Sequence, residues 1–187
     1  MPPLFSAPRR HLSNILATLN NLACTYQNLG RHEEALRLKR DVHSGWLKLM
    51  GEEDERTFTA ANNYAVALIK LERFGEGKTL LRKMMPVARR VLGEGHRLPL
   101  TMRKIYARAL CYDEDATLED LREAVATFED SARTARRVFG GAHPDTTGIE
   151  ESLRRARAAL TARETPESGG PEVLQTADDL AAFFDGW

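Results

Sequence analysis

The stretch that decides the fold is TLNNLACTYQNLGRHEEAL, residues 18–36. Its apolar residues Leu19, Leu22 and Tyr26 are three or four positions apart, which is the spacing of one face of an α-helix. Gly30 interrupts this pattern, and a second apolar stripe at helical spacing follows it. The stretch therefore predicts two helices joined by a tight turn.

This helix pair recurs along the chain. The dipeptide Asn-Asn at residues 20–21 returns at residues 62–63, an offset of 42 residues. The segment ARRVLG at residues 88–93 returns as ARRVFG at residues 135–140, an offset of 47 residues. The third repeat therefore contains a five-residue insertion, which falls at DEDAT, residues 113–117. Self-similarity at a fixed period is the signature of a repeat architecture.

The predicted fold is all-α, an α-α superhelix or solenoid of about three helix pairs followed by a C-terminal capping helix. No segment alternates apolar and polar residues for long enough to predict a strand. The predicted parts are a disordered N-terminus at residues 1–11, a repeat domain at 12–163 with pairs at about 12–54, 55–97 and 98–144 and the capping helix at 145–163, and an acidic linker with an aromatic tail at 164–187.

The pattern T-L-N-N-L-A-x-x-Y-x-x-x-G-R-x-x-E-A-L over residues 18–36 resembles the tetratricopeptide repeat. The 42-residue period and the motif G-x-x-H at residues 93–96 and 140–143 resemble the kinesin light chain variety of that repeat. The resemblance extends over roughly residues 12–162 and concerns the repeats alone, without a heptad segment. It implies helix pairs whose first helices line a concave groove for peptide segments of other proteins.

The resemblance also implies which residues point into the groove. The candidate partner-binding residues are Asn21, Gln27 and Asn28 in the first repeat, Asn63 and Lys70 in the second, and Lys104 and Arg108 in the third. Lys70, Lys104 and Arg108 would make the groove positive and favour an acidic ligand, although a solvated surface explains them equally well.

Asparagine pairs inside a helix call for a reason, because the side-chain amide competes with the backbone for hydrogen bonds. One interpretation is that Asn21 and Asn63 offer a donor and an acceptor to the main chain of an extended partner. The other is that such amides bridge neighbouring helices or face water, and this interpretation is favoured for Asn20 and Asn62.

The C-terminal tail has its own pattern. No Lys or Arg follows Arg163, whereas six acidic residues do, so the tail carries −6 and the rest of the chain +6. Leu180, Phe183, Phe184 and Trp187 stand at i, i+3, i+4 and i+7, which predicts one apolar helical face as a tail anchor. We hypothesise that the tail docks in a groove of its own or another copy and competes with partners; the alternative is that it caps the last helix.

Several function classes are disfavoured by composition. The formal net charge of zero does not point to nucleic acid, and no apolar run is long enough to span a membrane. Cys24 and Cys111 are the only cysteines, which suits a reducing compartment such as the cytoplasm. The five histidines lack metal-ligand spacing, and His96 and His143, at equivalent turns, are predicted to cap helices.

No base and nucleophile pair stands out, so neither an enzyme nor a metal or other cofactor is predicted. The leading prediction is a protein–protein interaction module, or scaffold, that binds acidic or extended peptide segments. The alternative is a structural subunit that self-associates or completes a larger helical-repeat assembly. The sequence leaves the partner and the oligomeric state open.

Overall fold

The structure is a computed structural model that describes residues 6–165, and within that range the chain forms seven α-helices and no strand. The helices are α1 (Ser6–Asn28), α2 (His32–Met50), α3 (Glu55–Lys70), α4 (Phe74–Leu92), α5 (Arg97–Tyr112), α6 (Leu118–Phe139) and α7 (Pro144–Glu164). The predicted all-α class is confirmed. The described residues form two compact units that divide between Met102 and Arg103, called here the N-terminal unit and the C-terminal unit.

In the N-terminal unit, the helices pack in series: α1 on α2, α2 on α3, and α3 on α4. Apolar residues of α2, α3 and α4 are buried between neighbouring helices, and removing that surface from water is what stabilises such pairs. Helix α1 buries Leu16 and Ala23 but leaves Leu12, Ile15 and Leu22 exposed. Two clusters make up much of this core, one of Leu16, Val42, Trp46 and Ala60 and the other of Leu36, Ala67 and Leu68.

In the C-terminal unit, α6 packs on α7. Leu121, Ala124 and Phe128 of α6 are buried, as are Ile149 and Ala156 of α7. The buried side of α7 is narrow, and most of its remaining surface consists of charged and small residues.

One residue of each inter-repeat turn caps the helix that follows. The side chains of Asp54, His96 and His143 each accept a hydrogen bond from the backbone N–H two residues ahead, at 2.9, 3.2 and 3.1 Å. The first residues of a helix have N–H groups without intrahelical partners, and these side chains satisfy one each. The capping role predicted for the two histidines is confirmed. In the first of these turns the carboxylate of Asp54 accepts the equivalent hydrogen bond.

The inserted residues 113–117 lie in the turn between α5 and α6. Thr117 accepts a hydrogen bond from the Asp120 N–H at 3.1 Å, and the Asp120 carboxylate accepts one from the Thr117 N–H at 2.9 Å. This reciprocal capping box starts α6 at the position that the Thr-x-x-Asp pattern predicts.

Helix α1 begins at Ser6, so it includes residues 6–11, which the sequence analysis placed in a disordered N-terminus. Pro8 lies in the first turn of this helix. Proline is tolerated in a first helical turn, because the N–H that it lacks has no intrahelical acceptor at that position and its fixed φ suits the helix.

Gly77 marks a close approach between α3 and α4. A Cβ atom at Gly77 would lie 3.0 Å from Cγ1 of Ile69, whereas a Cβ at Gly75, in the same helix, would meet nothing within 4 Å. Alanine favours the helix over glycine by about 1 kcal/mol at either position, but crowding a packed site costs about 1–3 kcal/mol.

We therefore expect Gly75→Ala to raise the free energy of unfolding by about 0.5–1 kcal/mol, and Gly77→Ala to give no gain or a loss. The measurement is urea unfolding of both variants followed by circular dichroism. An equal gain at the two positions would show that the approach at Gly77 is not tight.

Candidate functional site

The predicted groove residues of the N-terminal unit lie on α1 and α3. Asn21 and Asn28 are exposed, whereas Gln27, Asn63 and Lys70 are partly buried. Asn21 and Asn28 are seven residues apart on α1, as are Asn63 and Lys70 on α3, which is about two turns, so each of these two pairs shares a side of its helix.

Asn63 is tied to the first repeat. Its Nδ2 donates a hydrogen bond of 3.2 Å to Oδ1 of Asn20, which joins α1 to α3. The bridging interpretation thus applies to this pair of amides. A carboxamide has two donor hydrogens and two acceptor lone pairs, so this bond uses only part of what Asn63 offers.

Asn62, the neighbour of Asn63, is only 4% exposed, and its Oδ1 accepts no hydrogen bond from the described residues. An amide oxygen buried in this way costs about 1–3 kcal/mol. The sequence predicts that Asn62 bridges helices or faces water, and its oxygen does neither within the part of the chain that the structure describes.

Lys39 of α2 is the residue of this region that the sequence analysis missed. It is 4% exposed, and its Nζ donates a hydrogen bond to Oε1 of Gln27, a neutral partner from α1. The sequence did carry a signal: Lys39 stands four residues after Ala35 and three before Val42, within the apolar stripe of α2. A lysine at such a position is buried only at a cost.

The pKa of Lys39 is lowered, chiefly because burial disfavours the charged form. The nearby Cys24 acts in the opposite direction, and the ammonium group of Lys70 lowers the pKa further. Two positive groups therefore lie near one another in this region, Lys39 of α2 and Lys70 of α3, and Gln27 of α1 accepts a hydrogen bond from Lys39. We call Asn21, Gln27, Asn63 and Lys70, together with the buried Lys39, the polar face.

The other predicted groove residues, Lys104 and Arg108, lie on α5 in the C-terminal unit, and both are partly buried. The guanidinium of Arg108 lies over the ring of Tyr112, 5.7 Å from its centroid. Burial lowers the pKa of Arg108, while a hydrogen bond with Tyr112 opposes that shift.

Two further contacts fix α5 to α6 in this unit. The Tyr106 hydroxyl donates a hydrogen bond of 2.6 Å to Glu123, and Arg103, whose side chain is 14% exposed, forms an ion pair with Asp130. Burial raises the pKa of the Cys111 thiol to about 12, which makes it a poor nucleophile at neutral pH.

The tail-anchor residues Leu180, Phe183, Phe184 and Trp187 lie outside the described residues. Among residues 6–165, no group of three or more His, Cys, Asp or Glu side chains is placed to hold a metal ion. In the same range, no helix combines the length and the apolar character needed to cross a membrane.

Comparison with known proteins gives a match to a family model and matches to solved structures. Residues 15–55 and 57–98, which span α1–α2 and α3–α4, match the family model of the tetratricopeptide repeat. The chain is also similar to the crystal structure of BtubC (BKLC) from P. vanneervenii, with 16% sequence identity, a TM-score of 0.53, and coverage of 89% of this chain and 70% of that chain. At this identity the likeness shows the fold. Comparison with curated proteins gives no match.

Lys39→Met should stabilise the protein by about 1 kcal/mol or more near neutral pH, because it removes a buried charge whose hydrogen-bond partner is a neutral amide. The folded-state pKa is lowered, so the unfolded chain binds more protons between that pKa and 10.5. The cost is complete below the lowered pKa and fades as pH rises towards 10.5.

Chemical unfolding of wild type and variant over this pH range is the measurement. The matched control is Lys48→Met in the same helix, where the lysine is exposed and little change is expected. A gain that did not depend on pH would contradict this account of Lys39.

Proposed function

We propose that this protein is an interaction module whose polar face binds extended peptide segments of other proteins, with a preference for acidic segments. The observation that carries the proposal is Lys39, an ammonium group buried beside Lys70 with a neutral amide as its hydrogen-bond partner. A buried charge without a counter-charge is costly. A carboxylate of a bound peptide would supply that counter-charge.

The amides of the polar face suit a peptide main chain. Asn21 is exposed, and Asn63 keeps hydrogen-bonding capacity beyond its bond to Asn20. An amide that both donates and accepts matches the alternating N–H and C=O groups of an extended strand. Gln27 and Asn28 lie on the same helix as Asn21, one to two turns further along.

The tetratricopeptide match supports the coarse part of this proposal, since such repeats commonly bind other proteins. The kinesin-light-chain-like type, a cytoplasmic location and a role for Lys104 and Arg108 in binding remain predictions from the sequence. The likeness to BtubC (BKLC) concerns the fold and names no partner for this chain.

The test begins with peptides selected from a displayed random library against the full chain. We expect the selected peptides to be rich in Asp and Glu. Asn21→Ala combined with Asn63→Ala should weaken their binding about tenfold, which corresponds to one or two lost hydrogen bonds of about 1 kcal/mol each. Fluorescence polarisation with a labelled peptide measures the change.

Asn14→Ala is the matched control, because Asn14 is an exposed asparagine of the same helix that lies about two turns before Asn21 and is not one of the polar-face residues. Lys70→Glu should weaken acidic peptides more than neutral ones. Equal affinity for wild type and the Asn21→Ala, Asn63→Ala chain would remove the polar face from the proposal.

The alternative function is that of a structural subunit that self-associates or completes a larger helical-repeat assembly. Deleting residues 170–187 separates the two functions and also tests the tail as a competitor. If the tail competes with partners, the deletion should raise the affinity of the protein for an acidic aromatic peptide. If the tail mediates self-association, the deletion should abolish a concentration-dependent rise in the mass of the protein, as measured by light scattering. If the deletion changes neither quantity, both roles of the tail are excluded.

A further inference from the structure

A basic cleft of about 980 Å³ lies between α6 and α7 in the C-terminal unit. Five arginines and two glutamates contribute to its lining, together with Ala132 and Leu153. The arginines are Arg133, Arg136 and Arg137 of α6 and Arg154 and Arg157 of α7. The basic cleft is separate from the polar face, which belongs to the N-terminal unit.

The acidic residues of the cleft do not neutralise it. Glu150 pairs with Arg136 and Glu129 with Arg157, each at 2.6 Å, so both carboxylates are engaged across the two helices. From beside the lining, Asp130 lies 3.7 Å from Arg133, and Glu151 pairs with Arg154. Five guanidinium groups thus stand against four carboxylates, and the cleft is positive.

The repeat offsets show what occupies the equivalent place in the N-terminal unit. Going back by 47 and then by 42 residues leads from Ala132 of α6 to His43 of α2, and from Leu153 of α7 to Tyr64 of α3. The rings of His43 and Tyr64 stack, with centroids 6.1 Å apart. A side chain of α4, Leu80, packs against the cluster of α2 and α3 residues that includes Tyr64.

A second residue of α4, Lys83, also lies close to His43 and Tyr64. Lys83 lines a pocket with Tyr64 and Leu80, and its charge lowers the pKa of His43, whose main shift comes from burial. The second helix of a pair therefore covers this surface in the N-terminal unit. In the C-terminal unit, α7 is the last helix of the described residues, and no described helix follows it onto the basic cleft.

The covering segment of the C-terminal unit must differ from α4 in charge. Arg154 and Arg157 stand where the corresponding residues of α3, Ala65 and Leu68, are buried and apolar. A segment laid on α7 therefore has to bring acidic groups to the arginines and apolar groups to Leu153. A purely apolar helix would take these largely exposed guanidinium groups out of water without adding an acidic partner, which is costly.

The C-terminal tail combines acidic and apolar residues in this way. Its apolar residues Leu180, Phe183, Phe184 and Trp187 are at helical spacing, with Asp178, Asp179 and Asp185 beside them and no basic residue after Arg163. The chain between α7 and the tail is also long enough for the tail to reach the basic cleft. From Glu164 back to Arg154 is about 15 Å along α7, whereas the fifteen residues of 165–179 span up to about 50 Å when extended.

From this charge match and this repeat equivalence we infer that residues 172–187 dock intramolecularly in the basic cleft, as the second helix of a fourth pair. The apolar face of the tail packs on Leu153 and Ala132, and its aspartates meet Arg154 and Arg157. The docked tail contacts none of the residues of the polar face, in contrast to the competitor hypothesis.

The experiment uses the full chain with 5-fluorotryptophan, which gives two ¹⁹F signals because Trp46 and Trp187 are the only tryptophans. Trp187→Phe assigns them. We expect the Trp187 signal of the wild type to be protected from a paramagnetic quencher in solution. Arg154→Glu combined with Arg157→Glu should shift that signal to the position of an exposed indole and remove its protection.

The matched control is Arg89→Glu with Arg90→Glu, the same reversal on exposed arginines of α4, which should leave the Trp187 signal unchanged. Restoring the charge match with Asp178→Arg and Asp179→Arg in the cleft variant should bring the protection back, which simple damage to α7 would not allow. The Trp46 signal, from the N-terminal core, reports in each variant whether that unit is intact.

Three results would overturn the inference: an exposed Trp187 signal in the wild type, a signal that responds to Lys70→Glu instead of the cleft reversal, or protection that grows with protein concentration. The second result would place the tail on the polar face as a competitor, and the third would place it in another copy. Because the Asn21→Ala, Asn63→Ala binding test involves neither the cleft nor the tail, its outcome is independent of this one.

Discussion

The constraint on which the helix pairs depend is close approach at positions that admit only small residues. Ala23, Ala65 and Ala107 stand at equivalent positions of the first helices, and all three are fully buried. The second helices have Ala35, Gly77 and Ala124 at their own equivalent position, buried in each case. Because a helix pair has one face to bury, these positions decide how near the two backbones come and hence how much apolar surface leaves water.

The departure at Gly77 shows how that constraint is met with different residues. Ile69, which lies against Gly77, corresponds through the repeat offset to Gln27 and Cys111. A bulkier residue on the first helix is thus matched by the loss of a methyl group on the second. Both changes keep the volume at the seam roughly constant, which packed interiors require.

The sequence predicted the fold well where one residue type has one physical role. The turns at His96 and His143 and the capping box at Thr117 could be predicted because helix starts need side-chain acceptors. Helix α1 begins six residues before the predicted start, because the apolar spacing that indicates a helix begins only at Leu12.

The candidate site was harder to predict, because its chemistry depends on contacts between repeats. Lys39 is buried through its meeting with Gln27, twelve residues earlier in the chain, and the bond between Asn63 and Asn20 crosses from one repeat to the next. Asn62 and Asn63 are adjacent in sequence but differ in burial and bonding. A period locates equivalent positions, whereas the partner of each side chain depends on residues that the period does not conserve.

The two cysteines differ in a way that gives the chain a built-in probe. Cys111 is held as a thiol by its surroundings, whereas Cys24 is exposed on α1, one turn from Gln27. A thiol-specific fluorophore added to the native chain at neutral pH would therefore attach selectively at Cys24. The protein supplies a labelling position close to Lys39 without any substitution, so an environment-sensitive dye there would report directly on whatever approaches that surface.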